Sequence, residues 1–190
     1  MQSFKYMGKY SGRESDLPQR KHPDGYVPFR EPQDMKKMAI ILNIVSLIII
    51  AAFYLLIVLR AQKAIWNIWG ILLSLICTIP HEFLHGICFK ETVYMYTNLK
   101  QGMLFVVGPE DMTKTRFVFM SLLPNIVFGL VPYLCFMINP ELEVLGMMGL
   151  FSLSMGAGDY MNVYHAITQM PKGALTYLSG FHSFWYLKEN

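Results

Sequence analysis

His81, Glu82 and His85 fall in one five-residue run, His81-Glu82-Phe83-Leu84-His85. On a helix, His81 and His85 are four residues apart and share a face, so both imidazoles can reach one metal ion. Glu82 stands beside them, where its carboxylate can take a proton from a metal-bound water. This H-E-x-x-H spacing is the ligand-and-base pattern of zinc metallopeptidases. A catalytic zinc takes three protein ligands and leaves a fourth position for water. Zinc brings that water's pKa to about 7. Glu82 would then accept the proton and pass it to the leaving amine.

The third ligand must come from elsewhere. Four apolar segments, described below, contain no Lys or Arg, and their only carboxylates are Glu82 and Asp159. Ionisable groups at membrane depth are costly and mark function by default. Asp159 and His165 are the two candidates, and their six-residue separation puts them on different helix faces. Depth and cost favour Asp159, because a carboxylate with no cationic side chain at its level finds its most economical partner in a bound metal. His165 lies nearer the boundary and reads as a structural histidine reaching headgroups and water. Asn125, after Pro124, and Asn162, one turn beyond Asp159, are candidates for substrate contact or for supporting a ligand; helix–helix hydrogen bonding is the plainer role for both. Pro80 should kink the helix just before His81. Gly156 and Gly158 should let another backbone approach Asp159.

The elements that must hold these groups are mostly apolar. Of the 190 residues, 54% are hydrophobic, and the mean hydropathy is +0.35. That suits a small polytopic membrane protein whose first partner is the lipid bilayer. The net charge of +3, with no basic stripe, gives no nucleic-acid signal. Cys77, Cys88 and Cys135 lack a paired spacing and predict no disulfide framework. The N-terminus has no apolar core, so no cleavable signal peptide is expected.

Residues 1–38 read as a polar, mostly irregular cytoplasmic tail, and 39–190 as a single membrane-embedded domain. The spans are Ala39–Leu59, Ile65–Phe89, Phe117–Ile138 and Val144–Ile167, since about 20 apolar residues cross a bilayer core. Thr92–Val107, broken at Asn98–Gly102, and Ala174–Leu187, broken at Ser179-Gly180, read as β-hairpins. The expected fold is therefore an all-α polytopic membrane protein of about four transmembrane helices, with a small β-hairpin element on the cytoplasmic side. Lys and Arg concentrate before the first span and after the second and are absent from Asn139–Glu143. Both termini are therefore expected in the cytoplasm.

These residues resemble a known family. His81-Glu82-Phe83-Leu84-His85-Gly86, Leu123-Pro124-Asn125, Gly158-Asp159-Tyr160-Met161-Asn162 and Met170-Pro171-Lys172-Gly173-Ala174 resemble the bacterial zincin peptidases of domain of unknown function 3267. That family is distantly similar to the site-2 intramembrane metalloproteases. The likeness covers roughly residues 65–187. It implies His81, His85 and Asp159 as ligands of Zn2+, Glu82 as the base, and a membrane protein or peptide as substrate. The expected function is a zinc-dependent intramembrane or membrane-proximal peptidase. The alternative is a non-catalytic membrane metal-binding or accessory protein, in which Glu82→Gln would leave the biological phenotype unchanged.

Overall fold

A computed structural model describes residues 3–32, 34–98 and 103–188. The chain forms two compact units. One comprises Met1–Arg30, Glu82–Ser121 and Asn162–Asn190; the other comprises Glu31–His81 and Leu122–Met161.

The second unit is helical, and three of the chain's helices lie partly in it and partly in the other unit. α1 (Met35–Ala61) starts at Asp34, whose side chain accepts from the Lys36 N–H and caps the helix. α2 (Ile68–Ile76) starts the same way at Asn67, whose side chain accepts from Trp69 N and Gly70 N. α3 (Thr78–Ile87) follows after one residue. α4 (Lys114–Pro124), a π-helical stretch (Asn125–Leu130) and α5 (Val131–Ile138) run on without a loop. α6 (Glu143–Met155) and α7 (Ala157–Gln169) are separated only by Gly156. Ile57, Phe136, Met147 and Leu150 form the core of this unit, with Tyr133 among them. The Tyr133 hydroxyl donates to the Phe53 carbonyl at 2.9 Å, which satisfies the one polar atom that burial would otherwise strand.

Three helical runs among the described residues are long and apolar enough to cross a membrane: Met35–Ala61, Ile68–Ile87 and Lys114–Ile138. The fourth expected span, Val144–Ile167, is not one helix. It is α6 and α7, 13 residues each, below the about 20 needed.

The other unit overturns the all-α expectation. Among the described residues it is built on seven strands in two sheets. β1 (Ser3–Lys9) runs parallel to β3 (Thr92–Asn98), which pairs antiparallel with β4 (Met103–Val107). The second sheet has the order β2 (Val27–Pro28), β7 (His182–Leu187), β6 (Ala174–Ser179), β5 (Met112–Thr113). Both expected hairpins form, with Tyr94 opposite Val107 and Leu175 opposite Tyr186. The break at Asn98–Gly102 falls largely on residues 99–102, outside the described residues. An isolated two-stranded hairpin is marginal in water, and here each gains partners from distant sequence. Two of those partners come from residues 1–38, which are therefore not simply an irregular tail. β1 carries no clean alternation, because Lys5, Tyr6, Met7 and Lys9 are exposed, so period-2 patterning does not reveal it. Phe29, Phe89, Val93, Phe117 and Met120 form the main core of this unit.

Candidate metal centre

Pro80 sets where the motif helix begins. Its ring has no N–H and would clash with the carbonyl of Ile76 four residues back. α2 stops at Ile76, and α3 restarts at Thr78. The expected break is present, one turn earlier than a kink at His81. The ladder is re-established by His81, whose N–H donates to the Cys77 carbonyl at 2.9 Å.

His81 Nε2 lies 3.3 Å from Asp159 Oδ2, with side chains 16% and 15% exposed. Asp159 occupies the first turn of α7, where the helix dipole favours a negative charge. The amide of Asn125, 3% exposed, donates from Nδ2 to the same Oδ2 at 2.7 Å. Asn125 opens the π-helical stretch directly after Pro124, and such stretches recur at functional sites.

His85 lies one turn beyond His81 on α3 and is 6% exposed. Its Nδ1 is 2.9 Å from the Met120 carbonyl oxygen. A carbonyl only accepts, so Nδ1 carries the proton and Nε2 keeps its lone pair for a ligand role. Pro124 explains why that carbonyl is available. An α-helix would commit Met120 O to the N–H of residue 124, and proline has none.

Glu82 Oε2 accepts from the Val106 N–H on β4 at 3.1 Å. β4 is an edge strand of its sheet, so this N–H points away from β3. Phe4 of β1 stacks on Phe83, with ring centroids 4.9 Å apart. A Cβ at Gly86 would strike the Phe4 ring, which accounts for glycine right after the motif. The chain leaving α3 is held by Arg116, which donates to the Cys88 carbonyl and pairs with Glu110. Glu110 is buried and accepts from Lys90 N and Glu91 N at 2.7 and 2.6 Å.

The sequence pattern of the family described as "Putative zincin peptidase" matches residues 74–175, more than half of the chain. The chain belongs to this zincin peptidase family. No curated protein and no solved structure matches it.

The matched stretch contains every group just described except β1. One donor atom from each of His81, His85 and Asp159 lies within 4.8 Å of the others. The grouping rests on α3, which carries both histidines, and on the His81–Asp159 approach. The zincin name implies zinc, and the donors fit it. Two imidazoles and a carboxylate are ordinary zinc ligands, and two donors on a tetrahedral zinc stand roughly 3.3–3.4 Å apart. The 3.3 Å between His81 Nε2 and Asp159 Oδ2 matches that edge and is long for a direct hydrogen bond.

His165 packs among aromatic and polar side chains. It is 6% exposed, stacks on Phe29 with centroids 6.0 Å apart, and meets the Gln169 side chain. It is structural, through packing and not through reaching water. Asn162 is half-buried on α7. Gly156 does permit a close approach, since a Cβ there would land on Asn125 Oδ1, but a Cβ at Gly158 would meet nothing. The sequence reading missed Tyr160, the Met120 carbonyl and the Val106 N–H. The last two are backbone groups with no residue-type signal. Pro124 was the available clue to the Met120 carbonyl.

Proposed function

We propose that this zincin peptidase hydrolyses peptide bonds in membrane-embedded or membrane-proximal segments, with zinc on His81, His85 and Asp159 and Glu82 as the base. The observation that carries the reading is the His81–Asp159 approach at 3.3 Å, with Glu82 the next residue after a ligand. Zinc held there would supply a Lewis acid and bring bound water to a pKa of about 7. Glu82 would accept the proton from the attacking water and return it to the leaving amine nitrogen as the C–N bond breaks. The Val106 N–H orients its carboxylate.

A helical substrate hides its carbonyls in its own ladder and must unwind before attack. The β4 edge is suited to hold an unwound segment by strand addition, and it lies against the base. Cationic residues flanking the apolar runs support both termini in the cytoplasm. The test is metal content of purified protein, followed by cleavage in native membranes. About one zinc per chain is expected, lost in His81→Ala and His85→Ala. Protein purified without chelator and free of transition metal would sink the reading. A Glu82→Gln chain that keeps its metal and its full biological phenotype would favour the non-catalytic alternative.

A further inference from the structure

Tyr160 stands beside Asp159 in the Gly158–Asn162 motif, and it ends a chain of contacts that begins at the metal site. Its hydroxyl lies 3.3 Å from Asn125 Oδ1 and 3.0 Å from the Leu153 carbonyl, as donor to both. Asn125 in turn donates from Nδ2 to Asp159 Oδ2 at 2.7 Å, the oxygen 3.3 Å from His81 Nε2. All five residues lie in one unit.

The direction of each bond follows from chemistry. The Leu153 oxygen can only accept, so the tyrosine proton lies between it and Asn125 Oδ1. An amide whose oxygen meets a hydroxyl proton must turn its NH2 the other way. That is toward Asp159, whose ionised carboxylate can only accept. A flipped Asn125 would aim an oxygen at the Asp159 carboxylate. Nδ2 thus holds Oδ2, the oxygen that stands 3.3 Å from His81 Nε2.

Gly156 makes the arrangement sterically possible, because a Cβ there would collide with Asn125 Oδ1. Its own N–H also reaches the Leu153 carbonyl, at 3.3 Å. The break between α6 and α7 is thus where Tyr160 and Gly156 together seat the asparagine.

We propose that Tyr160 is a positioning residue for the metal site: through Asn125 it fixes the orientation in which Asp159 Oδ2 receives zinc. The inference rests on the zinc reading above. Partners that orient metal ligands typically contribute about 10–100-fold in metal affinity. The experiment is zinc affinity of the full chain in detergent, by competition with a chromophoric chelator. Tyr160→Phe keeps the ring and removes the hydroxyl, and should weaken zinc about tenfold. Tyr164→Phe, on the same helix and 63% exposed, should not. Asn125→Ala should weaken zinc at least as much, and adding Tyr160→Phe to it should cost nothing more, because the hydroxyl acts through the amide. Gly156→Ala should resemble Asn125→Ala. Unchanged zinc affinity in Tyr160→Phe, or a full second loss in the double variant, overturns the proposal while leaving the zinc reading intact. Wild-type protein that binds no zinc fails the zinc reading itself, and with it this inference.

Discussion

At the scale of single residues, the proposed site separates groups that would hold a metal from the one that would move a proton. Glu82→Gln preserves size and polarity but cannot accept a proton. It should retain about one zinc per chain and lose cleavage of a membrane substrate, read by metal analysis and by immunoblot of the substrate in native membranes. Residual cleavage would remove Glu82 as base. Asp159→Ala should lower zinc affinity by about 10-fold or more, since it deletes one of three donors. Asp159→Asn should be nearly as damaging because the charge is gone. His165→Ala should leave zinc affinity unchanged and lower thermal stability instead. Its ring is 6% exposed against Phe29, so its loss leaves a cavity. The opposite pattern, with His165 essential for metal, would transfer the third-ligand role. These side chains were readable in the sequence because their chemistry is rare in apolar segments. Their partners were not, since the Met120 carbonyl and the Val106 N–H exist at every position of any chain.

At the scale of elements, the informative places are the interruptions. Proline ends α2 and frees a carbonyl in α4, and Gly156 separates α6 from α7. Hydropathy sums over such breaks, which is why Val144–Ile167 reads as one span and folds as two helices. Pro124→Ala restores an N–H that competes with His85 for Met120 O. The expected result is zinc affinity reduced about tenfold with helix content by circular dichroism equal or higher; unchanged affinity would show that the carbonyl is not contested. The edge strand offers a separate test. Val106→Pro deletes the N–H that Glu82 accepts, and a proline is tolerated on an edge where that N–H faces away from the ladder. Cleavage should fall while zinc is retained, and a fully active variant would dissociate β4 from the base. The two hairpins were readable from alternation and turn residues. β1, β2 and β5 were not. β2 and β5 are two residues each, and β1 pairs with a strand whose register begins at Ser3↔Thr92, a separation that no local pattern carries.

At the scale of the molecule, one unit is helical and the other joins the sheets to helical segments of α3, α4 and α7. The sequence showed the apolar content but not how much of the remainder is strand. α1 is long and apolar enough to cross a membrane, and its Ile40, Ile44, Leu47, Leu55 and Leu59 are more than half exposed, which is unfavourable in water. Trp66 and Trp69, both about 70% exposed, stand before and within the start of α2, where indole rings favour the headgroup level. Reporter fusions after residue 190 and within Asn139–Glu143 should report opposite sides of the membrane, with the C-terminal fusion cytoplasmic. A C-terminus outside would reverse the side from which substrate reaches the site.

The pairing of β1 with β3 and of β2 with β7 has a consequence in time. β1 and β2 are translated before their partners: β3 follows α1 to α3, and β7 follows α7. Until then neither early strand has its partner, and the Phe4 ring that packs on Gly86 has nothing to pack on. The first sheet can therefore close only once β3 and β4 are made, and the second only once β7 is made. On the proposed roles, Glu82 gains its Val106 partner as soon as β4 is translated, so the proton acceptor is in place before Asp159 of α7 is made and the site is completed last by its third ligand.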